Sequence, residues 1–377
     1  SIDWGAYSGG FTQSANHDRD YDGHGSHCAG IAIGKTFGWA TNARVLHQKI
    51  AGLEGSGDSG TGISPTYAFD AIKAWHNAKP IDPNTGYKRP TVINMSWGYL
   101  QTYESTSEIN YRGVSYTGTD VDQTSERESK GLLYILYQLS PILYMTNVRI
   151  SSVDTDIEEL LEAGVHICVA AGNRSHKVDE PGGDDFDNYA VNGGSGNMTT
   201  GYYHRGSSPY GDAAYDGSPR AIIVGNMDST SANSTTDQKA ISSETGPGVD
   251  IYAPGTSIMS ATSNTNKWGS GSQNYYLNSN YKQTNISGTS MASPNVAGVL
   301  ACMLELHPEW TPSQAKQWLL DNAGSAILNT GTDDDWANDR SLKGGQPKVL
   351  HMPFTNPQPA KISGFNNLTF NIKIKEK

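Results

Sequence analysis

Cysteine is scarce here, three in 377 residues, too few for a disulfide framework. Cys28, Cys168 and Cys302 fall in small or apolar surroundings and read as buried small apolar side chains. Long apolar runs are missing as well. The longest candidate, Gly131 to Met145, is interrupted by Gln138, Ser140 and Pro141, so nothing reaches spanning length. Positive charge is in deficit, with 27 Lys and Arg against 38 Asp and Glu and a net charge of −11. That balance argues against nucleic acid or an anionic membrane as partner. No charged-then-apolar leader opens the chain, and no internal repeat is visible. What is present is length: 377 residues suit one large α/β domain better than two ordinary ones.

The periodicities predict a doubly wound α/β fold. Strands are expected over 44–50, 91–96, 165–171, 221–224 and 249–253. A helix is expected from about Tyr67 to Asn77, with Ala68, Phe69, Ile72 and Trp75 on one face. A second runs from Asp154 to Ala163, with Ile157, Leu160 and Leu161 inward and Gly164 as its stop. Thr311-Pro312-Ser313-Gln314 is a capping box with proline at the first helical position, opening a helix to about Asn322. Alternating strands and helices imply a mostly parallel sheet, helices on both faces, and functional residues at strand C-terminal ends.

Three segments carry chemistry. Gly288-Thr289-Ser290-Met291-Ala292-Ser293-Pro294 sets a serine at the start of a small, apolar helix. There the helix dipole and free backbone N–H groups suit a developing oxyanion. Alone, it could be an N-capping serine on a buried helix. Asp22-Gly23-His24-Gly25-Ser26-His27-Cys28-Ala29-Gly30 puts a histidine among glycines just before a second small-residue helix. Val169-Ala170-Ala171-Gly172-Asn173 ends an apolar run with a carboxamide. A serine needs a base for its proton, and its tetrahedral intermediate needs aimed donors; His24 and Asn173 fit those needs.

In order and flanking residues these motifs resemble the subtilisin-like serine protease family, over about Ile2 to Leu350. The resemblance implies a subtilisin-like fold over 1–350, with His24 as base, Ser290 as nucleophile and Asn173 in the oxyanion hole. It also implies that Ser96-Trp97-Gly98 forms an edge pairing with extended peptide, and that Ala170-Ala171-Gly172 forms the facing wall of the primary pocket. Trp97 could equally be a core residue. The substrate is expected to be a peptide or protein, with no cofactor required and a secreted or extracellular location. The compartment itself stays open.

The third triad member departs from the pattern. Family members place the orienting aspartate roughly thirty residues before the histidine, whereas His24 has 23 residues before it. Asp3-Trp4-Gly5 loosely resembles the aspartate motif. Asp18, Asp20 and Asp22 lie too close in sequence to reach behind the imidazole easily. The favoured expectation is an aspartate on a segment upstream of Ser1, released by autoprocessing of a zymogen and remaining bound. Asp3, or a dyad or inactive enzyme, are the alternatives. Loss of this aspartate alone costs subtilisin about 3 × 10⁴ in kcat, so the chain without it is expected to be a poor enzyme. A non-catalytic scaffold left after one self-cleavage is therefore the rival function.

Two insertions, about 99–150 and 174–219, depart from the compact family pattern and read either as a lid or as decorative loops. Asp18-Arg19-Asp20-Tyr21-Asp22-Gly23 resembles the opening of a calcium loop, but its twelfth position is Ala29 instead of glutamate. Solvated carboxylates beside the cleft are the reading there, and calcium elsewhere is left open without a located site. His24 and His27 lack a third ligand for zinc. Residues 351–377 read as a C-terminal extension, with Asn356-Pro357-Gln358-Pro359 as a linker signal and an alternating strand pattern over Leu368 to Lys375.

Overall fold

Four short runs dominated by apolar residues, Val92–Met95, His166–Ala170, Ile222–Asp228 and Ile251–Pro254, line up in that order as parallel strands. Gln238–Lys239 adds an antiparallel fifth. These belong to a computed structural model, which describes residues 20–50, 64–103, 105–132, 134–135, 143–193, 200–211, 221–228, 237–325 and 339–352. Asp3, Asp18 and the extension beyond 352 lie outside the described residues.

The two faces of the sheet bury separate sets of side chains, as alternation along a strand requires. On one face Ile167, Val169 and Ile223 pack with Phe69 of helix Pro65–Asn77 and Ile157, Leu160 and Leu161 of helix Ser151–Glu162. On the other, Cys168, Ile222, Val224 and Ile251 pack with Val296, Val299 and Leu300 of helix Thr289–Leu306 and Leu319 of helix Pro312–Asp321. Each fully buried Ile or Leu contributes about 1.5–3 kcal/mol of transfer free energy, so these layers set the fold. The doubly wound reading holds for this sheet. The capping box forms as expected: the Thr311 hydroxyl accepts from Gln314 N and the Gln314 side chain from Thr311 N. Among the described residues no helix is long and apolar enough to cross a membrane.

Three expectations fail. Cys302, expected to be buried like Cys28 and Cys168, is only partly so on helix Thr289–Leu306. The stretch 44–50 forms no strand, and Val45 and Leu46 are more than half exposed. It has no neighbouring strand among the described residues, and apolar alternation alone cannot hold an unpaired strand in place. Trp75 faces out, with the Lys79 ammonium over its ring, while His76 is buried instead. His76 lies seven residues after Phe69, two full turns on, so the buried stripe is the one centred on Phe69.

The insertions are ordered where described, and they fold onto each other. Thr106–Tyr111 of the first pairs with Val114–Thr117 on one side and with Tyr189–Asn192 of the second on the other; Thr200–Tyr202 completes the sheet. Ile109, Val121, Leu132, Ala190 and Tyr203 give it its own small core. Arg112 and Lys177 both reach the nearly buried Asp185, and this pulls that carboxyl far below its usual range.

Candidate active site

The serine motif opens helix Thr289–Leu306 behind Gly288, whose φ of 152° lies in the region that glycine tolerates best. A Cβ there would press on the Asn173 carboxamide, 3.3 Å from Oδ1. Ser290 sits in the first turn, where backbone N–H groups have no intrahelical acceptor. Pro294 lies inside this helix and has no N–H to return to the Ser290 carbonyl. That carbonyl instead accepts from the Ser96 hydroxyl at 2.9 Å and the Cys28 thiol at 3.3 Å. Asn94 extends the network, donating to Ser96 Oγ and accepting from the Ser293 hydroxyl. One proline thus ties the nucleophile helix to the end of strand Val92–Met95 and to the histidine helix. The Ser290 hydroxyl itself donates to the Ser96 carbonyl at 3.3 Å.

Asn173 lies just past the end of strand His166–Ala170. Its Oδ1 accepts from both the backbone N–H and the hydroxyl of Thr289, at 2.8 and 3.1 Å. With the oxygen held there, the amide N–H groups take no part in the clamp. Thr289 also accepts from Gly172 N, which locks the two motifs together. Thr289 was not singled out in the sequence, and only its place between Gly288 and Ser290 marked it.

His24 begins helix His24–Ile33 behind Gly23, which adopts φ 86°. Asp20 caps this helix, accepting from Gly23 N and Ser26 N at 2.8 and 2.7 Å. Asp22 accepts from His24 N and pairs with Lys267 at 2.7 Å. Both carboxylates are therefore engaged at the helix start. Among the described residues no group of three His, Cys, Asp or Glu is placed to hold a metal. His27 is fully buried, and its Nε2 must donate to the Ile258 and Thr284 carbonyls, both at 3.1 Å. That nitrogen has no lone pair left for a metal.

His24 Nδ1 lies 4.0 Å from Cys28 Sγ, and the same sulfur touches the Ser290 carbonyl, so base and serine share one neighbour. Burial lowers the His24 pKa; Asp22 and Asp20 pull it back up, and Lys267 adds to the lowering. The ring is accordingly neutral at pH 7 and able to accept a proton. Burial holds Cys28 as a neutral thiol, its pKa pushed up to about 12. Cys28, read from sequence as mere apolar filler, is thus in contact with both motifs. Among the described residues no carboxylate hydrogen-bonds the His24 ring.

Ser96-Trp97-Gly98 follows strand Val92–Met95, and Ala170-Ala171-Gly172 ends its parallel neighbour His166–Ala170. Several of their side chains are committed elsewhere. The Trp97 ring stacks on Phe69 and meets Tyr99 edge-on, and Ala171 is buried in the core beside them. Gly98 and Gly172 carry no side chain.

A family model described as the subtilase family matches residues 6–349. The subtilisin-like serine protease pepC of Aspergillus niger is 28% identical over 324 residues, covering 83% of this chain and 42% of that protein. Cerevisin of Saccharomyces cerevisiae is 25% identical over 325 residues, covering 83% of this chain and 35% of that one. The chain therefore spans less than half the length of these relatives. A crystal structure of a cold adapted subtilisin-like serine proteinase aligns with a TM-score of 0.48 at 20% identity, covering 88% of this chain and 75% of that one.

Proposed function

The chain belongs to the subtilase family, and we propose that it is a serine endopeptidase using Ser290, His24 and Asn173. The observation that carries this reading is the Thr289 clamp, which holds the Asn173 carboxamide by its oxygen against the residue just before Ser290. In the reaction the Ser290 hydroxyl leaves the Ser96 carbonyl, gives its proton to neutral His24, and Oγ attacks the peptide carbonyl. The Asn173 amide and the Ser290 backbone N–H receive the oxyanion. His24 then protonates the departing amine, and water hydrolyses the acyl-enzyme by the reverse sequence. The Ser96 carbonyl, released by the hydroxyl, is free to accept an N–H from extended substrate.

The carboxylate that orients His24 comes, in this proposal, from outside the described residues. Strand Val92–Met95 pairs on one side only among them, leaving an edge on which a further strand can lie. A segment left from upstream processing is the proposed occupant.

Turnover of casein, together with intact mass spectrometry after a fluorophosphonate, tests the assignment. Sustained cleavage is expected, stopped by one adduct on Ser290, with a co-purifying peptide marking the bound segment. Absence of both adduct and cleavage would leave a non-catalytic scaffold.

The pH profile gives a second test. The base must be neutral, so kcat/KM falls as pH drops through the His24 pKa, which lies below the usual histidine value. Lys267→Gln removes a cation that lowers this pKa and releases Asp22, which raises it. The acid limb of the kcat/KM profile is expected to move to higher pH. A limb that stays put or moves the other way would remove His24 from the base role.

A further inference from the structure

The sheet that packs on the histidine helix ends in a turn made of the wrong residues for a turn. Strands Ile258–Thr262, Asn278–Ile286 and Ser272–Tyr275 pair antiparallel in that order. Ile258 and Ile286 pack against Cys28 and Ile31 of helix His24–Ile33. Tyr275 pairs with Asn278, so Tyr276 and Leu277 are the whole of the hairpin turn. Two-residue turns favour glycine, asparagine and aspartate. Here two large apolar side chains take both positions, each 67% exposed. A local preference broken with no gain to the core is the mark of a functional position.

A second turn lies beside the first. The chain leaves helix His24–Ile33 through Gly34-Lys35-Thr36-Phe37-Gly38, where Gly38 N donates to the Gly34 carbonyl at 2.8 Å. Phe37, at 76%, is the most exposed large hydrophobic side chain among the described residues. The Thr36 and Tyr275 hydroxyls share a hydrogen bond of 3.0 Å, which pins the two turns together. Phe37 and Tyr276 are the next residue in each. Tyr281, on the strand returning from the hairpin turn, is 63% exposed. Charge is skewed on the same segments. Residues 23–50 and 251–304, which include both turns, hold five Lys and Arg and no Asp or Glu, so all 38 acidic residues lie elsewhere. Lys35 precedes Phe37 by two residues, and Lys282 Nζ donates to Asn274 Oδ1 beside the hairpin turn at 2.6 Å.

We propose that these two turns dock on a membrane surface, with Phe37, Tyr276 and Leu277 entering the headgroup layer of a zwitterionic phospholipid and Lys35 and Lys282 meeting its phosphates. The net charge of −11 disfavours an anionic surface, whereas a neutral one leaves the local cations free to act. The shape suits lipid. Apolar groups stand on the apices of two turns, and a fluid headgroup layer closes around such projections, where a protein surface would need a matching pocket for each. Tyrosine, with an apolar ring and a wet tip, is at home at that depth. Lysine stems lie along apolar surface while their ammonium groups reach the phosphates. Both turns are at the end of helix His24–Ile33 away from His24, about 15 Å along it. The docking is therefore separate from the protease reading and does not rest on it.

Co-sedimentation of the full chain with phosphatidylcholine vesicles, over a series of lipid concentrations, gives the partition coefficient that tests this. The parent is expected to enter the pellet, and the double variant Phe37→Ser, Leu277→Ser to partition about tenfold less or weaker still. Both side chains lie outside the core, so the thermal midpoint of the variant is expected to match the parent. No binding by the parent at millimolar lipid, or undiminished binding by the variant, would overturn the proposal. Sedimentation velocity without lipid supplies the companion measurement. A parent dimer that the same double variant dissolves would make the patch a contact between copies of this chain and overturn the membrane assignment; a parent that stays monomeric supports it.

Discussion

Ser290→Ala is expected to reduce kcat by about 10⁶-fold, the size of the same change in subtilisin. That magnitude corresponds to about 8 kcal/mol of barrier. It is large because no neighbour can replace the lost nucleophile. Cys28 is the nearest candidate, and its thiol is held neutral by burial while donating to the Ser290 carbonyl. The folded state should hardly notice the change. The hydroxyl makes one long bond, 3.3 Å to the Ser96 carbonyl, whereas the backbone contacts of Ser290 with Ser96 and Cys28 survive in alanine. The check is a pair of measurements, kcat on a peptide ester and the thermal midpoint. Activity within tenfold of the parent, in a protein unfolding at the same temperature, would end the assignment of Ser290.

Asn173→Ala should cost about 10²–10³ in kcat, or about 2.7–4 kcal/mol, the range for removal of the matching oxyanion donor in subtilisin. KM should change little, because the donor is aimed at charge that appears only in the transition state. The clamp from Thr289 makes this sharp. Asn173 is exposed, so truncation leaves no large cavity, and the loss is of a donor held in place by two bonds to Thr289. Steady-state kinetics on one peptide separates the outcomes. A raised KM with unchanged kcat would make Asn173 a ground-state binding residue and remove it from the oxyanion hole.

How the site is assembled differs from how it is signalled. Each motif is legible because its chemistry is local. Gly23 must adopt a positive φ, Asp20 caps the turn that follows, and Gly288 must make room for a carboxamide. Periodicity likewise revealed the layers around Ile167, Leu160 and Val296, since burial on a strand or helix face repeats within a few residues. It failed at 44–50 because a strand is made by its neighbour's hydrogen bonds, which no single segment encodes. It failed at Trp75 because two stripes of one helix were both apolar, and only the sheet selects which turns inward.

The amino-acid sequence by itself determined the family, the alternating strand–helix order and the three motifs that meet in the cleft, because each rests on residue types within one or two turns of chain. Only the tertiary structure decided the rest. The two insertions join into one sheet through Thr106–Tyr111 and Tyr189–Asn192. Pro294 hands the Ser290 carbonyl to Ser96 and Cys28, and Asn147 donates to the buried Glu244 carboxyl. These contacts join segments tens to hundreds of residues apart, where hydrogen-bonding groups meet because the core brings them together and nothing in the local pattern records the meeting.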